Sequence, residues 1–485
     1  MSDANLAGVM EARATVGGWA GEVAFVAGDR TFTHAEVHDG AARTGSLLAD
    51  RGVGRGDRVL IALPDGPELV WAFLGAVRLG AVAVPVNPRL TAADHAAAAT
   101  AAGAVLVVCE AALAERFDGR PVVIGERLGA TIAGYPPCAP AAVDAGAPAY
   151  AQYTSGTTGA PKAAVHAHGH PLVYADAFAG PAVRLARADV VLSVSKLYFA
   201  YGLGNTLFFP LLTGCRAVLH AAHPRPDDVA ALVGQHGVTV LFGVPTFFAQ
   251  LVAAANGPLP SLRVAVSAGE PLTPALAARV RATLGCPVLD GLGSTEVGQT
   301  FASNTLDRWE DATVGRSLPP YRVRVVDGSG ADVPAGGVGA LWVAGPTLPV
   351  GYLGGPAPAP GEWLATGDLA TLDEDGTVRL QGRSDDIEQV GGISVSPLEV
   401  EAVLSRHPAV TEVAVAGVVG PRGGSQLVAF VVGPPRATLD AELLALARAE
   451  LAPFKVPRRV VHLAALPRTA TGKLQRFALR SHPLP

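Results

Sequence analysis

The segment Tyr153-Thr154-Ser155-Gly156-Thr157-Thr158-Gly159-Ala160-Pro161-Lys162 gathers the groups that a polyphosphate needs. Hydroxyls and backbone N–H groups can ring a concave loop, the glycines allow close approach, and Lys162 supplies one mobile cation. The order G-x-x-x-x-G-K-[ST] is absent, so this is not a P-loop. Directly after it, His166-Ala167-His168-Gly169-His170 alternates histidines. No acid or cysteine stands beside them, which disfavours a metal site.

A phosphate loop works only if rigid elements hold its ends. The chain around it alternates helix-like and strand-like stretches. Residues 67–79 carry apolar positions at helical spacing, and 81–86 follow as a β-branched strand. Residues 105–109 and 239–242 are short buried-strand runs, the second leading into a helix over 246–254. Strand, helix and strand recur at 262–267, 274–284 and 287–289. This alternation predicts α/β layers with largely parallel strands. Near Gly382 the pattern changes. Val390-Gly391-Gly392-Ile393 reads as a glycine turn in a hairpin, and Ser396-Pro397-Leu398-Glu399 as a helix start with a capping box. Strands over 410–418 and 426–432 and a helix over 439–452 complete an α+β unit of about a hundred residues, an ordinary domain size. The expected organisation is a large unit over 1–383, of layered α/β subdomains, and a small mobile unit over 384–485. The proline-rich stretch 356–360 reads as a surface loop.

At 485 residues the chain exceeds one compact core. It is 49% apolar and 16% charged, which excludes a disordered polymer. The net charge of −5 and the lack of Lys/Arg runs argue against nucleic-acid or anionic-membrane partners. Cys109, Cys138, Cys215 and Cys286 lie far apart without C-x-x-C spacing, which fits reduced thiols in a cytoplasmic protein. The first residues lack a basic start and apolar core, and no apolar run reaches membrane-spanning length.

The loop over 153–162 resembles the phosphate-loop signature of the adenylate-forming superfamily: acyl- and aryl-CoA ligases, peptide-synthetase adenylation domains and luciferases. Other motifs similar to that family's follow in its order. They are Gly291-Leu292-Gly293-Ser294-Thr295-Glu296, Thr366-Gly367-Asp368, Gly382-Arg383-Ser384-Asp385-Asp386 and Pro467-Arg468-Thr469-Ala470-Thr471-Gly472-Lys473. The resemblance implies roles for each. Thr154, Ser155, Gly156, Thr157, Thr158, Gly159 and Lys162 would hold the phosphates. Thr295 and Glu296 would face them, with Glu296 on Mg²⁺ as a hard oxygen ligand. Ala268, Gly269, Glu270, Asp290 and Gly291 would border the nucleotide. Asp368 would accept the ribose hydroxyls beside Arg383. Lys473 would offset charge building on the α-phosphorus. ATP and Mg²⁺ are therefore expected. A hinge at Asp385 would then withdraw Lys473 and bring in Gly391 and Gly392 for the thiol stage.

Ser195-Lys196-Leu197-Tyr198-Phe199-Ala200-Tyr201-Gly202-Leu203-Gly204-Asn205 resembles the benzoate-CoA ligase branch. By that resemblance Ala200, Tyr201, Gly202 and Gly293 would line an aryl pocket, with the acid's ring on Tyr201. Gln299 stands where that branch has a histidine, and its amide could bond a hydroxyl or amino substituent. Gln389 replaces the lysine usual before Val390-Gly391-Gly392. The expected reaction is activation of an aromatic acid as acyl-AMP and transfer to the thiol of CoA. The alternative acceptor is the thiol of a separate carrier protein.

Overall fold

The structure is a computed structural model describing residues 4–117, 119–154, 162–254, 257–353, 363–390, 393–419, 425–434, 438–468 and 474–482. Two large sheets dominate the first part. One runs in the order Arg316–Ser317, Thr300–Ser303, Val288–Gly293, Val264–Ala268, Val240–Gly243, Val190–Ser193, Arg216–Leu219, Val23–Ala27, Arg30–Thr33. Its members from Val288–Gly293 to Val23–Ala27 are parallel, as the strand–helix alternation predicts. The other runs Gly351–Leu353, Ala163–Ala167, Pro148–Tyr153, Val82–Pro85, Arg58–Ala62, Leu106–Cys109, Val122–Ile124. The helix Pro67–Arg78 is apolar on every face because it lies in the shared core, where side chains from both sheets meet.

A third, four-stranded antiparallel sheet joins Arg322–Val326, Val338–Ala344, Leu364–Leu372 and Val378–Arg383 over its own small core of Val314, Val325, Leu341, Ala370 and Val378. From Glu388 onward a hairpin, Glu388–Val390 with Ile393–Val395, precedes the helix Pro397–Leu404. A three-stranded sheet of Glu412–Val419, Ser425–Val432 and Arg459–His462 follows, with the helices Leu439–Glu450 and Arg476–Arg480. Val395, Val400, Leu404, Val415, Leu427, Leu439 and Leu443 form a separate core there. The chain thus has a large α/β domain followed by a small α+β one, the organisation that the resemblance implies.

One local expectation fails. Ser396 precedes its helix and Pro397 opens it, yet no side-chain cap forms. The Ser396 hydroxyl donates instead to the Gln381 carbonyl, and Glu399 pairs with Lys455 at 2.6 Å. Tertiary partners outcompete the local capping box. Among the described residues no helix is long and apolar enough to cross a membrane. Cys109, Cys215 and Cys286 are buried free thiols, each pushed up in pKa by burial.

Candidate active site

Thr154 N–H donates to the Lys162 carbonyl at 2.9 Å, closing the base of the phosphate loop where the antiparallel strands Pro148–Tyr153 and Ala163–Ala167 end. Lys162 is exposed. Ser155, Gly156, Thr157, Thr158 and Gly159 lie outside the described residues. The strand leaving the loop carries His166, whose Nε2 lies 2.8 Å from the Thr295 carbonyl. A carbonyl can only accept, so Nε2 bears the proton and Nδ1 is the acceptor. Tyr174 OH and His170 Nδ1, both at 3.2 Å, converge on that acceptor, and Tyr150 OH meets Tyr174 OH at 3.1 Å. Burial holds His166 at about 4 and His170 at about 3, so both are neutral at physiological pH. His168 faces away and accepts from Leu6 N–H at 3.0 Å. The three alternating histidines therefore do not converge. Among the described residues no group of three His, Cys, Asp or Glu is arranged to hold a metal.

Thr295 and Glu296 follow the strand Val288–Gly293 and are half-buried. The Tyr352 phenol is pushed up by burial and then by the Glu296 charge. Tyr352 pairs with Ala164, on the strand leaving the phosphate loop. The first and second motifs, distant in sequence, thus share one edge of the second sheet.

Asp368 and Arg383 stand directly opposite in the third sheet. Arg383 Nη1 donates to the Thr366 carbonyl at 3.1 Å and lies 3.5 Å from Asp368 Oδ1, with Asp385 Oδ1 3.5 Å from its Nε. Gly367 has φ +79°, and a Cβ there would meet Arg383 at 2.7 Å. Only glycine lets the guanidinium lie over this turn. The result is a carboxylate and a guanidinium held side by side, able to accept from and donate to one polyol.

Ala268 ends the strand Val264–Ala268, and Gly269 turns the chain with φ +88°. The Glu270 carboxylate is occupied: Oε2 accepts from Thr246 Oγ1 at 2.5 Å and Oε1 from Arg468 at 2.6 Å. Both carboxylate oxygens of Glu270 thus face protein partners. Asp290 pairs with Ser267 across the ladder, ahead of Gly291, and burial raises its carboxyl well above the ordinary range. Its Oδ1 has no partner among the described residues. A buried unmet acceptor beside the C-terminal ends of parallel strands is where an α/β sheet takes a ligand.

Ala200, Tyr201 and Gly202 form one helical turn, and Tyr201 OH donates to the Val266 carbonyl at 3.1 Å. Gly202 turns its bare Cα to the Lys196 and Ser195 carbonyls, where a Cβ would come within 2.1 Å, so backbone packing by itself demands a glycine. Gln299 packs on Gly204, whose Cβ would meet Nε2 at 1.8 Å. Gln299 Oε1 accepts from Thr300 N–H at 3.0 Å and Thr300 Oγ1 at 3.2 Å, while Nε2 has no partner among the described residues. Gly293 backs onto the Gln299 carbonyl, 2.8 Å from where its Cβ would be. The structure brings Gln299, Gly293 and the turn of Tyr201 together.

Lys473, Gly391 and Gly392 lie outside the described residues. The Asp385 carbonyl accepts from Arg480 at 3.1 Å. Of the residues that now stand out, Tyr174 was not singled out in the sequence, while His166 was read only as one of three alternating histidines and Arg468 only as part of the Pro467-to-Lys473 motif. The tie of His166 to Thr295 left no local signal, because the two stand 129 positions apart.

The family model of the AMP-binding enzyme matches residues 12–353, and that of the AMP-binding enzyme C-terminal domain matches 399–473. The p-hydroxybenzoic acid–AMP ligase FadD22 of Mycobacterium tuberculosis (strain ATCC 25618 / H37Rv) is 44% identical over 488 residues, covering 99% of this chain and 69% of that protein. A benzoate CoA ligase of Burkholderia xenovorans LB400 superposes with TM-score 0.90 at 36% identity over 98% of this chain and 99% of that one. The anthranilate CoA ligase AuaEII, solved with anthranoyl-AMP, gives TM-score 0.93 at 31% identity over 98% and 96%.

Proposed function

The chain belongs to the AMP-binding enzyme family, and from that premise we propose that it activates a hydroxylated benzoate, 4-hydroxybenzoate first, as the acyl-AMP before transfer to a thiol. The observation that carries the reading of the acid is Gln299: buried, its carbonyl engaged by Thr300, its Nε2 without a partner beside the Tyr201 turn. A buried amide N–H that lacks an acceptor favours a ring substituent that can supply one.

In the first half-reaction the acid's carboxylate attacks the α-phosphorus of ATP and pyrophosphate leaves. Asp368 accepts from the ribose hydroxyls, and Arg383 beside it orients that carboxylate. Asp290 Oδ1 accepts from the adenine amine. Lys162 and the loop N–H groups neutralise the phosphates, and Lys473 meets the charge developing at the α-phosphorus. The lone carboxylate of Glu296 fits Mg²⁺, which is commonly held by one or two carboxylates and the substrate's own phosphates; the ion would neutralise the leaving pyrophosphate. Residues 1–383 and 384–485 act as two bodies joined at Asp385, and rotation brings Gly391 and Gly392 to the site for the thiol.

The leading acceptor is CoA. A carrier-protein thiol is the second reading, supported by the relative named for AMP ligation alone. ATP–pyrophosphate exchange over benzoate, hydroxy- and aminobenzoates and short fatty acids tests the activation step. Exchange fastest with 4-hydroxybenzoate is expected. Exchange confined to fatty acids would overturn the aryl pocket. Thioester formation in parallel reactions with CoA separates the two acceptors.

A further inference from the structure

Arg468 lies across the boundary between the two domains. One Nη donates to Glu270 at 2.6 Å and the other to Glu412 at 2.7 Å. The two carboxylates belong to different rigid bodies. Glu270 follows the strand Val264–Ala268 of the large domain and is fixed by the Thr246 hydroxyl on the helix Pro245–Ala254. Glu412 opens the strand Glu412–Val419 of the small domain. The three side chains are 22%, 15% and 11% exposed, so this is a partly desolvated network and not a screened surface pair. A planar guanidinium with two separate N–H edges is the side chain suited to join two carboxylates. Arg279 adds a weaker tie, donating to the Val410 carbonyl at 3.3 Å.

Arg468 also begins the segment that ends at Lys473. Fixing Arg468 against Glu270 fixes one end of that segment beside Ala268 and Gly269. Rotation about Asp385 would carry Glu412 away together with Arg468 and must break the bond to Glu270. The contact therefore exists in one pose only. We propose that Arg468 is a positioning residue for acid activation: with Glu270 and Glu412 it forms a latch that holds the small domain where Lys473 reaches the α-phosphate, and it is released for thiol transfer. This rests on the two-step reading given above.

The test is ATP–pyrophosphate exchange with 4-hydroxybenzoate on the full chain and on Arg468→Ala, Arg468→Lys and Glu412→Gln. For Arg468→Ala the latch predicts a fall in kcat of about 10- to 100-fold, the usual cost of a misplaced reacting group, with KM for ATP and acid within about threefold. Arg468→Lys should recover part of the loss, since an ammonium still reaches one carboxylate. Glu412→Gln should move kcat in the same direction by less. A pose readout free of catalysis uses spin labels at Gln235→Cys and Ala441→Cys, both exposed sites, in a chain with Cys138→Ser. Arg468→Ala should broaden the distance distribution towards separated domains. A rise in KM for ATP at unchanged kcat would make Arg468 a nucleotide ligand and overturn the latch. So would an unchanged distance distribution, or a kcat that Arg468→Lys does not restore at all. If the unmodified chain shows no exchange with any acid, the adenylation reading itself falls, a result separate from any difference among variants.

Discussion

His166 holds the backbone of Thr295: its Nε2–H donates to the Thr295 carbonyl at 2.8 Å across 129 positions of sequence. The donor sits on the strand that leaves the phosphate loop, and the acceptor immediately precedes Glu296. One buried hydrogen bond therefore sets the spacing between the phosphate cradle and the acid proposed to hold Mg²⁺. Tyr174 and His170 fix the ring from its other side.

His166→Ala should lower the rate of pyrophosphate exchange by about 10- to 100-fold, because a shift of a reacting group by an ångström costs that much. The Mg²⁺ concentration for half-maximal rate should rise with it, while the KM for the acid stays close to its starting value. His166→Gln, which keeps a donor near the Nε2 position, should recover part of both. Equal loss in all three parameters would assign His166 to folding alone. A Mg²⁺ titration of exchange separates the outcomes.

The buried histidines also set a pH limit on stability. Burial holds His34, His166 and His168 at about 4 and His38 and His170 at about 3, against 6.5 unfolded. Their lowered folded values mean that the unfolded chain takes up protons first. Stability from this source is intact above about pH 7 and falls as pH drops from 6.5 towards 4, by about 1.4 kcal/mol per pH unit for each proton taken up. Asp65 works the other way. Burial raises it from 3.8 to about 6, so between those values the folded form binds the extra proton. Asp290 and Glu110, also raised by burial, act in the same sense as Asp65, but five rings outweigh three carboxyls and the melting temperature should fall below pH 6.5. His34 and His38 have no hydrogen-bond partner for either ring nitrogen among the described residues. His38→Leu should therefore flatten the acid limb of a melting-temperature profile, and an unchanged slope would refute the assignment.

Gly367 controls how Asp368 and Arg383 face each other. Alanine there would keep a left-handed φ of +79° and press a methyl group on the guanidinium. Destabilisation of about 1–2 kcal/mol is expected from the backbone alone. The KM for ATP should rise several-fold, because the carboxylate and guanidinium proposed for the ribose lose their register. The KM for the acid should not move. Thermal melting and steady-state exchange kinetics on Gly367→Ala check both parts.

Much of this site was legible in the sequence because its parts are made of glycines, hydroxyls and charges clustered within a few positions. The Thr366-Gly367-Asp368 turn and the Arg383 segment are of that kind, and the parallel α/β layers followed from alternating periodicity. What could not be read were contacts between distant stretches. His166 meets Thr295, Arg468 meets Glu270 across 198 positions, and neither pair leaves a local pattern. Ser396 shows the converse: a local capping signal was present and a tertiary acceptor, the Gln381 carbonyl, took its hydroxyl. Gly202 was expected in the lining of an aryl pocket, and two carbonyls at its Cα supply a second reason for its size. Spacing reveals that a side chain is small, and only packing reveals what needs it to be.

The selectivity for the acid should be changed by one side chain. Gln299 Oε1 is bound by Thr300, so the amide can offer its neighbours only Nε2–H donors. A phenolic oxygen accepts such a bond readily, whereas an aromatic amine accepts poorly because its lone pair is shared with the ring. The intact enzyme should therefore prefer 4-hydroxybenzoate to both benzoate and 4-aminobenzoate in kcat/KM. Gln299→Leu removes the donor at similar volume and should cut the preference over benzoate by about tenfold, the order of one hydrogen bond of about 1.4 kcal/mol. Benzoate itself should be activated as well as before, or better, since no unmet N–H is then buried beneath its ring. The KM for ATP should change little, because among the described residues Gln299 bonds only Thr300 and none of Asp290, Asp368 or Arg383. Ratios of kcat/KM for the three acids decide it: a ratio unmoved by Gln299→Leu would place the substituent elsewhere in the pocket.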